Sequence, residues 1–277
     1  MRPTYGRVSR YGAMALSWTL DKLGPMGLTA DDCGIVLEAI AGPDPNDAST
    51  SERTFHYELE AAVGRRLKLA VFTGSLESAE ESVGQNFGAA LKEFESVADI
   101  EEVSLPSYPY AEMTSTILNG EASSIFDEFL AAGLSHELRG EGCKYNGFAR
   151  TAVLAKDYLR ALRLREVLGR EIDSLLAPFD AVAAPSVIRA AEPVDKVWDR
   201  DEDEFGPDHT GAIGNGLGLP SISVPNGFDD QGLPTGIQFM GRAYRENSAL
   251  AAANAFQSIT NWHTQHPDVG RHAPAGC

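Results

Sequence analysis

Cysteine is scarce in this chain, and its placement excludes the usual cysteine-built sites. Cys33, Cys143 and Cys277 form no CxxC pair, and no Asn-x-Ser/Thr glycosylation site occurs. This usage is typical of proteins from a reducing compartment. No apolar run is long enough to span a membrane, and no signal-peptide core follows Met1. We therefore predict a cytoplasmic protein that does not enter a membrane.

Positive charge is also in short supply. The chain has 23 Lys and Arg residues against 40 Asp and Glu residues, which gives a net charge of -17. A surface of this sign repels a phosphate backbone, so we predict no nucleic-acid partner. The basic cluster Arg2, Arg7 and Arg10 has two interpretations, an anion site or salt bridges inside an acidic protein. We favour salt bridges.

The motifs of several enzyme classes are missing as well. There is no Gly-x-Ser-x-Gly elbow, and the histidines lie in polar or turn-like surroundings or in the polar tail, which argues against a Ser-His-Asp hydrolase. The acidic run 199–203 imitates a calcium loop, but Glu204 and Thr210 occupy the positions where such a loop needs Gly and Glu. The glycine-rich run 214–218 lacks the lysine of a phosphate loop, so we predict that it permits close backbone approach.

Helix and strand signals alternate along the chain, which favours an α/β fold. A strand at 67–72, a helix at 80–97 and a strand at 100–105 predict a right-handed β-α-β unit with parallel strands. A capping box at 29–32 predicts a helix that continues to residue 41 and ends at Gly42-Pro43.

The rest of the chain gives weaker signals of the same kind. Long helical regions are predicted at 111–132 and 145–176, and a short buried strand at 180–184. Residues 221–224 and 235–239 predict a strand pair, followed by a helix at 248–261. Residues 194–208 are predicted as an acidic surface loop, and the polar tail at about 263–277 as mobile.

Two separated blocks resemble the amidase signature family. The first is Met1-Arg-Pro-Thr-Tyr-Gly-Arg-Val-Ser-Arg-Tyr-Gly12, followed by Ser17-Trp-Thr-Leu-Asp-Lys-Leu-Gly-Pro-Met26. The second is a GLP turn and strand at 218–228, then a second GLP and a GxQ strand at 232–241. The blocks occur in the family's order, and the likeness is weakest between residues 77 and 208.

The resemblance implies a mixed, partly parallel central sheet flanked by helices, in a single partial amidase domain over residues 1–277 that lacks the N-terminal part of the family fold. It also implies hydrolysis of an amide to acid and amine through a serine acyl-enzyme, with a second serine and a neutral lysine as proton carriers. No Gly-Gly-Ser-Ser loop of the kind that bears the family's nucleophile occurs in these residues. We therefore assign no catalytic residue, no metal and no cofactor to this sequence.

Substrate-site candidates follow from the resemblance alone. Trp18, Asp21 and Gly24 match the family segment beyond the nucleophile loop, and Gln238 matches its strand glutamine. Trp18 has two interpretations, contact with an acyl or aryl group and an ordinary core position. Asp21 is expected to brace its loop by accepting backbone hydrogen bonds, and the role of Gln238 is open between binding and structure.

Two functional hypotheses follow. The first is the C-terminal portion of an amide hydrolase, inactive alone because its catalytic Ser and Lys are absent. The second is a non-catalytic or complementing subunit related to the A subunit of tRNA-dependent amidotransferases. The expected partners are a small-molecule amide for the complete enzyme and either a second copy of the chain or a complementing N-terminal segment, because missing strands leave edges and apolar surface exposed.

Overall fold

The computed structural model describes residues 1–58, 64–193 and 209–267. The predicted acidic loop at 194–208 and its calcium-like run lie outside these ranges. Of the tail predicted from residue 263, only the part up to residue 267 is described, and a short 3-10 helix, Trp262–Thr264, includes its start.

A five-stranded mixed sheet forms the centre of the fold, in the order β2-β1-β3-β5-β4. Strands β1 (Leu67–Phe72), β2 (Ala98–Val103) and β3 (Ala181–Pro185) pair in parallel. Strands β4 (Ser221–Phe228) and β5 (Pro234–Met240) form an antiparallel hairpin, and β5 also pairs antiparallel with β3. The mixed sheet, the parallel β-α-β unit and the strand pair are thus confirmed.

The helices near the two ends of the chain follow the local sequence signals. Helix α1 (Ala30–Ile40) begins at the predicted capping box, in which the side chains of Thr29 and Asp32 each accept a hydrogen bond from the backbone amide of the other residue. Helix α2 (Glu81–Phe94) connects β1 to β2 and buries Val83, Phe87 and Phe94. Helix α8 (Glu246–Ile259) follows β5.

The middle of the chain differs in detail from the prediction. The first long helical region divides at Phe126 into α3 (Tyr110–Ile125) and α4 (Asp127–Ala131). The second divides at residues 151–154 into α5 (Glu141–Arg150) and α6 (Ala155–Leu176). The first three residues of the glycine-rich run, for which no helix was predicted, belong to α7 (His209–Gly216).

Two hydrophobic cores cover the two faces of the sheet. Leu67 and Leu69 of β1 point into one core, with helices α1, α2 and α8, and Ala70 and Phe72 point into the other, with α3, α6 and α7. This alternation is the period of two expected for a strand that is buried on both faces. Among the described residues no helix is both long and apolar enough to cross a membrane.

The first residues of the chain, 1–8, which we call the first segment, extend the sheet beyond β4. The Arg2 amide donates to the carbonyl oxygen of Ser221 at 2.7 Å, and the Ser221 amide donates to that of Arg2 at 2.8 Å. Tyr5 then approaches Gly218, where a Cβ would lie 2.9 Å from the Cβ of Tyr5. This pairing fixes the segment that leads into the candidate site.

Candidate functional site

A cleft of about 430 Å³ opens beside residues 9–29, the cleft loop, which connect the first segment to α1. Its wall is partly apolar and partly charged, and includes Arg10, Tyr11, Met14, Trp18, Asp21 and Lys22. A concave site with an apolar wall and a few polar groups is the usual form of a small-molecule site.

Asp21 stabilises the cleft loop by hydrogen bonds to the backbone of the same loop. Its Oδ2 accepts hydrogen bonds from the backbone amides of Leu16 at 2.8 Å and Ser17 at 2.9 Å. The carboxylate thus closes a short turn around Trp18. This is the bracing role expected for Asp21, and contact with a substrate remains a prediction.

Glu121, which belongs to α3, stabilises the same loop by hydrogen bonds from another part of the chain. The buried carboxylate accepts hydrogen bonds from the Ser17 hydroxyl, from the amide and hydroxyl of Thr19 at 2.9 Å each, and from the Tyr158 hydroxyl at 2.8 Å. Burial raises the pKa of Glu121, but these hydrogen bonds outweigh burial and leave its pKa lowered. The site therefore holds an ionised carboxylate that ties helix α3 to the cleft loop.

Trp18 projects from this doubly anchored loop. Its side chain is 60% exposed, so Trp18 is not part of the core that the described residues form. Its carbonyl oxygen accepts hydrogen bonds from the Tyr5 hydroxyl and from Nη1 of Arg10, both at 2.8 Å. The backbone is fixed while the indole remains available to a ligand.

Arg10 and Asp47 form a second anchor across the cleft. Asp47 Oδ2 accepts a hydrogen bond from the Arg10 amide at 2.8 Å and lies 3.7 Å from Nε of Arg10. Hydrogen bonds from Ser49 and from the Arg10 amide, together with the Arg10 charge, lower the pKa of Asp47 to about 2. Arg7 forms an ion pair with Glu246, so two members of the basic cluster make the predicted internal salt bridges.

Lys22 is the unusual cation of the cleft. Its Nζ donates to the carbonyl oxygens of Leu20 and of Asn215, the latter at 3.3 Å. Arg2 donates to the Asn215 side chain at 3.0 Å, so two cations meet the carboxyl end of α7. Burial and the neighbouring Arg2 and Arg165 charges lower the pKa of Lys22 to about 7, against the opposing effect of Asp21.

The glycine-rich end of α7 makes these approaches possible. A Cβ at Gly214 would lie 2.3 Å from Nη2 of Arg2, and one at Gly216 would lie 2.2 Å from Oγ1 of Thr114. Both distances are shorter than any ordinary contact. Close approach is therefore found at both glycines, but by side-chain atoms of Arg2 and Thr114 and not by another backbone segment.

The remaining two predicted site residues hold the scaffold together. A Cβ at Gly24 would lie 2.2 Å from the carbonyl oxygen of Met1, so the loop and the first segment pack backbone to backbone. The buried Gln238 of β5 donates to the carbonyl oxygen of Pro185 at 2.8 Å and accepts from the Ser221 hydroxyl at 2.9 Å. Gln238 thus links the strands on both sides of β5, whereas Trp18 and Asp21 lie at the cleft.

Sequence reasoning missed Lys22 and Glu121 as parts of the site. Glu121 lies 104 residues from Ser17 in the chain, and Lys22 lies 193 residues from Asn215. No local pattern links such pairs. Within the described ranges, no three His, Cys, Asp or Glu side chains are grouped so that they could hold a metal.

Large apolar side chains are exposed around this site. Residues 11–40 carry ten of them: Tyr11, Met14, Leu16, Trp18, Leu23, Met26, Leu28, Ile35, Val36 and Ile40. Such a concentration within thirty residues is typical of a surface that contacts another polypeptide or a ligand. We call residues 11–40 the apolar segment.

Comparison with known proteins identifies the family. The family model described as Amidase matches residues 1–250. The chain belongs to the amidase signature family. It is similar to the A subunit of the glutamyl-tRNA(Gln) amidotransferase of Roseiflexus sp. (strain RS-1), with 32% identity over 97% of this chain and 60% of the relative. The corresponding protein of Geobacillus stearothermophilus is also 32% identical, over 96% of this chain and 60% of that protein.

A solved structure agrees with this assignment. The crystal structure of the A subunit of the glutamyl-tRNA(Gln) amidotransferase from Thermotoga maritima has a TM-score of 0.79 and 30% sequence identity. The match covers 94% of this chain and 57% of that chain. The chain thus spans about 60% of the length of the curated relatives that it matches.

Proposed function

We propose that residues 1–277 form the C-terminal portion of an amide hydrolase that produces an acid and an amine through a serine acyl-enzyme, and that these residues alone do not catalyse the reaction. Amide hydrolysis needs a nucleophile, a proton carrier and oxyanion donors. The sequence contains no Gly-Gly-Ser-Ser loop to supply them. The family match over residues 1–250 is the observation that carries the reaction class.

In this proposal the cleft supplies the substrate wall. The exposed indole of Trp18 contacts the acyl or aryl group of the amide, while Asp21 and Glu121 keep its loop rigid. Rigid positioning of the loop lowers the entropic cost of substrate binding. The serine nucleophile, the second serine and the lysine belong to a polypeptide segment that joins the cleft.

Hydrolysis of a panel of amides tests the proposal. The panel contains an aliphatic amide, an aryl amide, a peptide amide and glutamine. The 277-residue chain is compared with a protein extended in frame upstream of Met1. We expect turnover only by a protein that includes a Gly/Ser-rich loop and its lysine. Hydrolysis by the 277-residue chain that persists after repurification would overturn the proposal and direct the search to its own serines.

A second function is favoured by the apolar segment. We propose as the alternative a non-catalytic or complementing subunit, related to the amidotransferase A subunit, in which residues 11–40 contact a second polypeptide. Ten exposed apolar side chains in this segment support it, because burial of apolar surface is the main driving force of association. The partner is either a complementing N-terminal segment or a second copy of the chain.

The oligomeric state separates these possibilities. Light scattering coupled to size exclusion, with and without the co-expressed N-terminal part of the Thermotoga maritima protein, measures both kinds of association. A stable complex or a dimer supports the alternative, and Met26→Ser or Ile35→Ser is expected to weaken it. A monomer that binds neither the segment nor a hydrophobic dye would exclude it.

A further inference from the structure

Lys22 is a partly buried lysine of the cleft that also contacts the carboxyl end of α7. It lines the cleft together with Trp18 and Met14, which have large apolar side chains. Two carbonyl oxygens, those of Leu20 and Asn215, accept hydrogen bonds from its Nζ. A neutral lysine amine has two hydrogens and one lone pair. It therefore donates to both carbonyl oxygens and keeps its lone pair free.

The charged groups around Lys22 come from every element that packs against it. Arg2 comes from the first segment, Arg10 and Asp21 from the cleft loop, and Arg165 from α6. Asp47 faces the cleft from the turn at residues 44–47 that follows α1, and it pairs with Arg10. Glu121 of α3 accepts hydrogen bonds from the hydroxyl groups that surround it. Three guanidinium groups and burial therefore oppose protonation of Lys22, and Asp21 is the carboxylate that favours it.

We propose that Lys22 is the reactive amine of this chain, and that an activated acyl group bound in the cleft is transferred to its Nζ. In the reaction, the neutral amine attacks the acyl carbon, and the bond from that carbon to its leaving oxygen or sulfur breaks. The leaving group departs with the electron pair, and the amine loses one proton to water. The product is an amide at Lys22. This inference is independent of the proposed hydrolase and stands if that proposal fails.

The apolar wall determines which acyl donors are suited to the cleft. Trp18 and Met14 offer an aromatic face and a flexible thioether, which favour esters or thioesters with an apolar body. The depressed pKa of Lys22, about 7, makes the amine largely neutral just above neutral pH. An ordinary lysine, with a pKa of about 10.4, is almost fully protonated there.

Acetylation of the 277-residue chain by p-nitrophenyl acetate tests this inference. Peptide mapping by mass spectrometry measures the initial rate at Lys22 and at the exposed Lys68, Lys92 and Lys156, from pH 6 to pH 9. At pH 7.5 we expect Lys22 to react about tenfold faster than the exposed lysines, with a rate that levels off above about pH 8. The rates at the exposed lysines are expected to keep rising to pH 9.

A pair of variants on α6 sharpens the test. Arg165→Gln removes a guanidinium near Lys22, so we expect the levelling of the Lys22 rate to move to higher pH. Arg160→Gln, which removes an exposed cation paired with Asp157 on the same helix, is the control and leaves the profile unchanged. A Lys22 rate equal to or below that of Lys92 at pH 7.5, or a profile parallel to that of Lys92, would overturn the inference.

Discussion

Arg7 and Glu246 form a buried, bidentate ion pair across 239 residues of chain. Nε and Nη2 of Arg7 lie 3.1 Å and 2.9 Å from the two carboxylate oxygens, and the side chains are 3% and 0% exposed. The Thr4 amide also donates to Glu246, and the Arg7 guanidinium lies over the Tyr244 ring. The pair ties the first segment to helix α8.

Glu246→Ala is expected to lower the free energy of unfolding by about 3–5 kcal/mol, because it leaves the Arg7 charge buried without its partner. Urea unfolding followed by circular dichroism measures this loss. Glu166→Gln, which breaks the exposed pair between Glu166 and Arg170, is the matched control and should cost less than about 1 kcal/mol. Equal losses in the two variants would contradict a structural role for the buried pair.

Glu121 should make stability depend on pH. Its folded-state pKa is lowered, because hydrogen bonds outweigh the burial that raises it. The stabilisation is therefore complete above the unfolded pKa of about 4.3 and disappears as the pH falls through the lower folded value. Glu121→Gln should flatten the loss of unfolding free energy between pH 5 and pH 3, measured by urea titration. An unchanged slope in the variant would show that Glu121 is not the group responsible.

Gly24→Ala is expected to destabilise the protein by about 2 kcal/mol or more, since the added Cβ meets the backbone of Met1 and displaces the segment paired with Ser221. Thermal unfolding measures the change. Gly88→Ala provides the matched control: nothing lies within 4 Å of a Cβ there, and alanine should stabilise α2 by up to about 1 kcal/mol. The prediction fails if both substitutions shift the melting temperature in the same direction.

Gln238→Ala should cost about 1–3 kcal/mol, because the carbonyl oxygen of Pro185 and the hydroxyl of Ser221 lose their buried partner. Chemical unfolding gives the value, and exposed Gln85→Ala should stay within about 0.5 kcal/mol. If Gln238 also binds substrate, the upstream-extended enzyme should lose activity beyond its loss of folded protein.

Trp18→Ala should affect binding far more than folding, because the indole is 60% exposed. In the upstream-extended enzyme, KM for an aryl amide should rise about tenfold, which corresponds to about 1.4 kcal/mol. KM for acetamide, which has no large apolar group, should change little. Equal effects on the two substrates would exclude contact between Trp18 and the aryl group.

The sequence predicted those parts of the fold that depend on near neighbours. The capping box at Thr29, the six residues of β1 and the parallel β-α-β unit follow from patterns within a single element or two adjacent ones. The division at Phe126 was missed because no Gly or Pro marks it. Helix α7 was missed because its glycines disfavour a helix. Packing of α7 against α3 and Arg2 offsets this unfavourable helix propensity.

The candidate site was only partly accessible to prediction. The resemblance led to Trp18 and Asp21, which lie at the cleft. It could not show that Gln238 links strands, or that Glu121 anchors the cleft loop. Burial and long-range hydrogen bonds determine these roles, and the surrounding sequence contains no sign of either.

The distance along the chain between Arg7 and Glu246 also matters during synthesis of the protein. At about 5–20 residues per second, a ribosome needs roughly 12–48 seconds to add the 239 residues that separate Arg7 from Glu246. For most of that time the first segment has neither helix α8 nor β4 to bind. The exposed side chains of the apolar segment emerge within the same interval, so a nascent chain of this protein exposes apolar surface before the elements that hold its first segment have been synthesised.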